Sequence, residues 1–174
     1  MAKHQAIAAA CDTIVRHLES QSTPQDFAGD RLQFKVFQAQ DFARPMKTGI
    51  SLFLYRITQN SVSSNRPPGR LNPDGIRQKP PLPLDLHFLL TAWAKNASLQ
   101  HKIAGWMLRK LEDTSILNAS LLNQRYPGVF QLDESVEVLL EPLSVQELFG
   151  IWEGISRSTY QISVAYLARR VCIE

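Results

Sequence analysis

The chain has 174 residues, 44% hydrophobic and 20% charged, which argues against wholesale disorder and fits one domain able to bury about 70% of its unfolded surface. No apolar stretch reaches the roughly 20 residues that a membrane-crossing helix needs. The formal net charge is only +3, but residues 31–110 carry a net of +10 and residues 111–153 a net of −7. Such asymmetry speaks to association rather than to fold.

The N-terminus is too polar for a secretory leader, with Asp12 and Arg16 interrupting any apolar core, so synthesis and residence in the cytoplasm is the expectation. In that setting Cys11 and Cys172, far apart and outside any CxxC pair, read as small buried apolar side chains. The Asn-Ala-Ser triplets at Asn96 and Asn118 then carry no glycan.

In chain order, residues 4–19 predict an amphipathic helix, with Ile7, Cys11, Ile14 and Leu18 at helical spacing. Leu32, Phe34 and Val36 alternate with polar neighbours, which is strand periodicity. After Gly49 a second strand places Ile50, Leu52 and Leu54 on one face and Phe53, Tyr55 and Ile57 on the other. Both faces are apolar, so this strand belongs in the middle of a sheet, covered on both sides. A third apolar run puts Leu82, Leu84, Leu86, Phe88 and Leu90 on one face, opposite Asp85 and His87. A one-residue slip would expose that whole face, which pins the register.

Between these two strands, residues 61–81 hold five prolines with Arg66, Arg70, Arg77 and Lys79. Proline excludes regular structure over most of this segment, and a connection beyond about 12–15 residues is functional or disordered. It predicts a partner-binding loop, mobile alone and ordered by its partner, because it has little apolar surface to offset an ordering entropy of about 1–2 kcal/mol per residue. An acidic protein surface or phosphates could take the four cations, and a merely solvated basic loop stays open beside them. A single-strand binder would add stacking aromatics, and this loop has none.

Further along, residues 98–113 predict a helix through Ile103, Met107 and Leu111, flanked by Trp106. Residues 114–130 are less legible apart from a turn at Tyr126, Pro127 and Gly128. Residues 135–141 alternate, with Val136, Val138 and Leu140 inward and Glu137 and Glu141 outward. Ser144 and Glu147 form a capping box, Leu143 can staple on Leu148, and Val145, Leu148, Phe149 and Trp152 make the stripe of the helix that follows. A last strand begins at Tyr160. Its apolar phase switches after Tyr166 to Val171 and Ile173, predicting a bulge at Arg169 and Arg170. The chain ends on this strand, an expectation that more of the protein follows. Together these elements predict one α+β domain over 1–174, a mixed sheet of about five strands with flanking helices.

Residues that could do chemistry are sparse. Asp85 and His87 share a strand face, where an acid and an imidazole can pair, but no GxSxG elbow supplies a nucleophile. His4, His17 and His101 have no ligand partner one helical turn on, and no GxxxxGK loop is present, so no metal or cofactor is expected. Glu134, Glu137, Glu141 and Glu147 instead predict an acidic face that a neighbouring subunit's basic loop would meet head to tail.

The run LFLYRITQN followed by Asn65, the run LPLDLHFLLTAW, the helix carrying Trp152 and the strand YQISVAY occur in an order that resembles one bacterial family. It is that of the cap, or tail-terminator, proteins of phage-tail-like extracellular contractile injection systems of the antifeeding-prophage type. Phe88 stands where a tyrosine is expected, and Ser64 where an arginine commonly precedes the asparagine. The resemblance implies a non-enzymatic assembly protein that forms a ring, hexameric in this family, on the last layer of the inner tube. It would end tube growth, anchor the terminal sheath layer and leave the cell in a released extracellular particle. The competing reading is a nucleic-acid-binding adapter, resting on the basic half of the chain and a pI near 9.0.

Overall fold

The computed structural model describes residues 4–27, 29–44, 46–60, 81–155 and 160–173. Arg66, Arg70, Arg77 and Lys79 lie outside the described residues, as does all of the expected loop except Pro81.

The architecture is a six-stranded mixed sheet of α+β type, built from β1 (Gln33–Phe37), β2 (Gly49–Gln59), β3 (Leu82–Trp93), β4 (Ile116–Asn118), β5 (Ser135–Leu140) and β6 (Ser163–Ile173). The strand order is β1-β2-β3-β6-β5-β4. Only β1 and β2 run parallel; the other neighbours are antiparallel. The count exceeds the expected five because β4 is a three-residue strand inside the segment whose periodicity was weak. It is too short for an alternation to show, and its pairing with β5 defines it.

The helices are α1 (Ala6–Gln21), α2 (Ala97–Asp113), the single turn α3 (Ala119–Leu122) and α4 (Val145–Ile155). Helix α2 is capped by the Asn96 side chain, which accepts the Leu99 N–H at 2.9 Å. Asn118 caps α3 in the same way at 3.0 Å. Helices α1 and α2 cover one face of the sheet: Ile14, Leu18, Ile103, Met107 and Leu111 are buried with Leu84, Leu86, Phe88 and Leu90. On the other face α4 and a 3-10 turn (Ala39–Ala43) bring Trp152 and Phe42 onto Leu89, Trp93 and Ala165. Strand β3 is therefore apolar on both faces. Burying each large side chain there is worth about 1.5–3 kcal/mol in transfer terms.

The layer under α4 also holds buried polar groups, all satisfied. Trp93 donates its indole N–H to Ser51 at 2.8 Å, Trp152 donates to Ser163 at 3.2 Å, and the hydroxyls of Thr91 and Ser163 meet at 2.8 Å. Satisfied in this way they cost little and fix the two tryptophans, whereas an orphaned group would cost about 1–3 kcal/mol.

The bulge expected in the last strand is present. The β3–β6 register shifts between Leu84 and Leu86, opposite Arg169 and Arg170. Arg170 has φ 63, a left-handed conformation uncommon outside glycine. Asp85 holds it there by accepting the Arg170 N–H at 3.1 Å and both contacts of the Asn60 amide at 2.9 and 3.0 Å.

Four sequence expectations change. Ile57 leaves the face of Phe53 and Tyr55 and lies opposite Leu86, because the β2–β3 register shifts between Leu54 and Arg56. Leu140 is 53% exposed rather than inward, because β5 runs past the helices that cover Val136 and Val138. Of the α4 stripe only Leu148 and Trp152 reach the core, while Val145 and Phe149 stay exposed. Cys172 is half-buried, whereas Cys11 is buried enough to push its thiol up to about 12.

Gly49 makes the parallel β1–β2 pairing possible. It sits at φ 156, and a Cβ there would lie 2.1 Å from the Gln33 carbonyl oxygen. Gly49→Ala is expected to lower stability by about 2 kcal/mol or more, read as a reduced urea midpoint. An unchanged midpoint would show that β1 is not seated on β2 in this register.

Candidate assembly interface

A cluster of polar side chains lies where β2 ends and β3 begins, on the α4 side of the sheet. His87 Nδ1 and Glu141 Oε1 are 2.7 Å apart, and His87 Nε2 is 2.8 Å from the Thr58 hydroxyl. Tyr55 donates its hydroxyl to the other Glu141 oxygen at 2.7 Å. Burial, followed by the Glu141 carboxylate, pushes the Tyr55 hydroxyl well above its usual range. Tyr55 is thus a fixed donor at any physiological pH.

Asp85 and His87 share a face as expected but do not pair. Each has its own partners, Asn60 and Arg170 for the acid, Glu141 and Thr58 for the imidazole. The sequence pointed at the neighbour on the same strand; the structure supplies a carboxylate from the end of β5, 54 residues away. A glutamate, an imidazole and a hydroxyl in line resemble a nucleophile relay in outline. A cavity of about 1190 Å³ does exist in the fold, but it runs beside β1 and none of these three residues lines it.

The four glutamates expected to form one acidic face divide into separate local roles. Glu134 accepts the Gln131 N–H at 2.7 Å and closes a turn. Glu137 lies opposite Arg169 in the β5–β6 register, with their charged atoms 3.8 Å apart. Glu134 and Glu137 line a cavity of about 510 Å³ with Asp133 and Arg170. Glu141 is turned into the polar cluster, because the β5 face expected to meet solvent is covered by the α4 layer. Glu147 completes the predicted capping box: its carboxylate accepts from Ser144 N–H at 2.9 Å and Ser144 Oγ at 2.7 Å, while its own N–H donates to Ser144 Oγ at 3.2 Å. Those bonds hold the Glu147 carboxyl below the usual carboxylate range. Its contribution to α4 is therefore complete above the ordinary glutamate value and fades as pH falls through the lowered one.

Apolar side chains add to the surface. Val145 and Phe149 stand out from α4, and Phe149 packs edge-on against Tyr160 with ring centroids 5.1 Å apart. Leu140 and Val145 are exposed at either end of the β5–α4 link. These residues were legible as apolar but not as uncovered, since exposure depends on where the layer above them stops. No helix among the described residues is long and apolar enough to cross a membrane, and no cluster of three or more His, Cys, Asp or Glu among them could hold a metal ion.

This fold is that of terminators of contractile particles. The sheath/tube terminator of the PVC extracellular contractile injection system, solved by cryo-EM in its extended state, superposes with a TM-score of 0.66 at 13% identity, over 99% of this chain and 57% of that one. The anti-feeding prophage cap, a tube-terminating cap also solved by cryo-EM, gives 0.61 at 13% identity, over 93% of this chain and 52% of that one. The chain thus spans a little over half the length of each. It belongs to the Pvc16 N-terminal domain family, whose model matches residues 10–174. No curated protein sequence matches it.

The geometry around His87 makes a structural prediction. His87→Ala removes two hydrogen bonds and leaves Glu141 Oε1 without its imidazole partner, so stability should fall by about 1–3 kcal/mol by urea unfolding. Glu141→Gln, which keeps a hydrogen-bonding oxygen, should cost less. If His87→Ala leaves the midpoint unchanged but abolishes a measurable turnover, the cluster is catalytic.

Proposed function

We propose that this chain is the ring-forming domain of a non-enzymatic cap that closes the inner tube of a contractile injection particle and anchors its last sheath layer. The observation that carries this is the family match across residues 10–174, joined to a fold shared with two terminators over nearly the whole chain. The described surface suits such a role. It has exposed apolar residues on α4 and an acidic patch at Glu134 and Glu137, set on a sheet held rigid by two cores.

In this reading the subunits form a ring, a hexamer by the family resemblance, assembled in the cytoplasm and released with the extracellular particle. Tube and sheath subunits are the partners, and no cofactor takes part. The loop cations Arg66, Arg70, Arg77 and Lys79 approach the acidic patch of the next subunit. Glu141 and Glu147 keep their internal bonds and support that surface from within. No feature among the described residues favours the nucleic-acid adapter over this reading.

The test is assembly from purified tube subunits with and without the chain. Tubes formed with it should be shorter and should carry a ring at one end only, visible by electron microscopy. Glu134→Lys combined with Glu137→Lys should weaken ring formation, and raising salt should do the same, because only close charge pairs act across a Debye length of about 8 Å at 0.15 M salt. Unchanged tube lengths with no end-bound density would refute the capping role. Rings that form equally well in high salt and in the double variant would show that their contacts are apolar.

A further inference from the structure

Among the described residues, strand β1 is an edge of the sheet, paired with β2 on one side only. Gln33 donates its N–H to the Thr48 carbonyl at 3.1 Å, and the parallel register continues through Lys35↔Ser51 and Phe37↔Phe53. In a parallel ladder alternate residues turn their backbone groups toward the partner. Gln33, Lys35 and Phe37 therefore bond inward, and the N–H and C=O groups of Phe34 and Val36 face away from the sheet. A cavity of about 1190 Å³ runs along this free edge, with Lys35, Val36, Arg44 and Lys47 in its lining.

The charges in this groove are unbalanced. Lys35, Arg44 and Lys47 are exposed, and none of the three has a carboxylate partner among the described residues. The two acids beside them are already engaged. Asp41 accepts the Gln38 N–H at 2.7 Å to cap the 3-10 turn, and Asp12 takes Arg16 at 3.2 Å and Arg125 at 3.4 Å. Lys35 shares its sheet face with Phe37, which packs on Phe42 and Trp93, and Arg44 follows the turn that carries Phe42. On the opposite face Val36 is 44% exposed.

We propose that the free edge of β1 is a docking site for an extended segment of a partner protein, added as a seventh strand, with acidic side chains alternating with small apolar ones. The outward N–H and C=O groups of Phe34 and Val36 supply main-chain affinity, as strand addition does generally. Side chains on alternate faces supply the specificity: carboxylates of the incoming strand meet Lys35, Arg44 and Lys47, and apolar ones lie beside Val36. The five residues of β1 set a footprint of about 17 Å. Lysine on an edge strand also protects against unwanted pairing. Protection alone needs one such charge; three cations line this groove, where Asp12 is ion-paired to two arginines and Asp41 is the one carboxylate without a cation among the described residues, and that surplus selects for a strand of opposite charge. This site is independent of the capping role and can be tested on the isolated chain.

The probe is a labelled, end-capped peptide of about seven residues alternating glutamate and valine, which is long enough to cover β1. Fluorescence anisotropy should show saturable binding that weakens with salt. N-methylation of those peptide nitrogens that face β1 should lower affinity about tenfold or more, since it deletes main-chain donors without touching the protein. Lys35→Glu with Lys47→Glu should lower it to a similar degree, with the folded far-ultraviolet circular dichroism spectrum retained. Binding indifferent to N-methylation, or none at millimolar peptide, overturns the proposal. So does a single-stranded oligonucleotide that binds this face more tightly than the peptide. Concentration-dependent self-association abolished by Lys35→Glu would also overturn it, because a second copy would then be the natural occupant.

Discussion

Everything in this fold depends on β3 being buried on both faces. Leu86, Phe88 and Leu90 sit under α1 and α2, while Leu89 and Trp93 sit under α4 and the turn that carries Phe42. A strand with two apolar faces is stable only between two covering layers. That requirement dictates the central pairing with β2 and β6 and a helix layer on each side. It also makes register a matter of energy. Slipping β3 by one residue would bring Asp85 and His87 into the α2 layer, where neither would find the partners it has now.

The polar features follow from that frame. Asp85 and His87 occupy the α4 face of β3 near its start, beyond the reach of Trp152 and Phe42, where side chains from β2 and the end of β5 converge. Asp85 stabilises the left-handed Arg170 in the β6 bulge, and His87 ties β2 to Glu141. Both contacts stiffen the end of the sheet from which residues 61–80 depart.

Strands β1, β2, β3, β5 and β6, together with α1, α2 and α4, could be read from periodicity because the spacing of each is visible in one short window. The bulge at Arg169 and Arg170 was legible because the apolar phase of β6 changes there. Strand β4 was hidden by its three-residue length. The Glu141–His87 pair was hidden for another reason: it joins positions far apart in sequence, and alternation marks a residue as leaving one face without saying what covers the other. The same gap explains Leu140, Val145 and Phe149. Apolar spacing locates a stripe, and only the packed layers decide how much of it is covered. The contractile-particle resemblance came from the order of patterned strands, and it marks none of the individual contacts described here.

Native-state hydrogen exchange tests the claim that β3 is the organising element most directly. The account predicts that the amides of Leu86, Phe88 and Leu90 exchange only through global unfolding, with a free energy equal to that from urea denaturation, while those of β1 and α4 exchange through smaller local openings. If β3 amides exchange as fast as those of β1, or by an opening well below the global stability, the sheet is not built on this strand and the account is wrong.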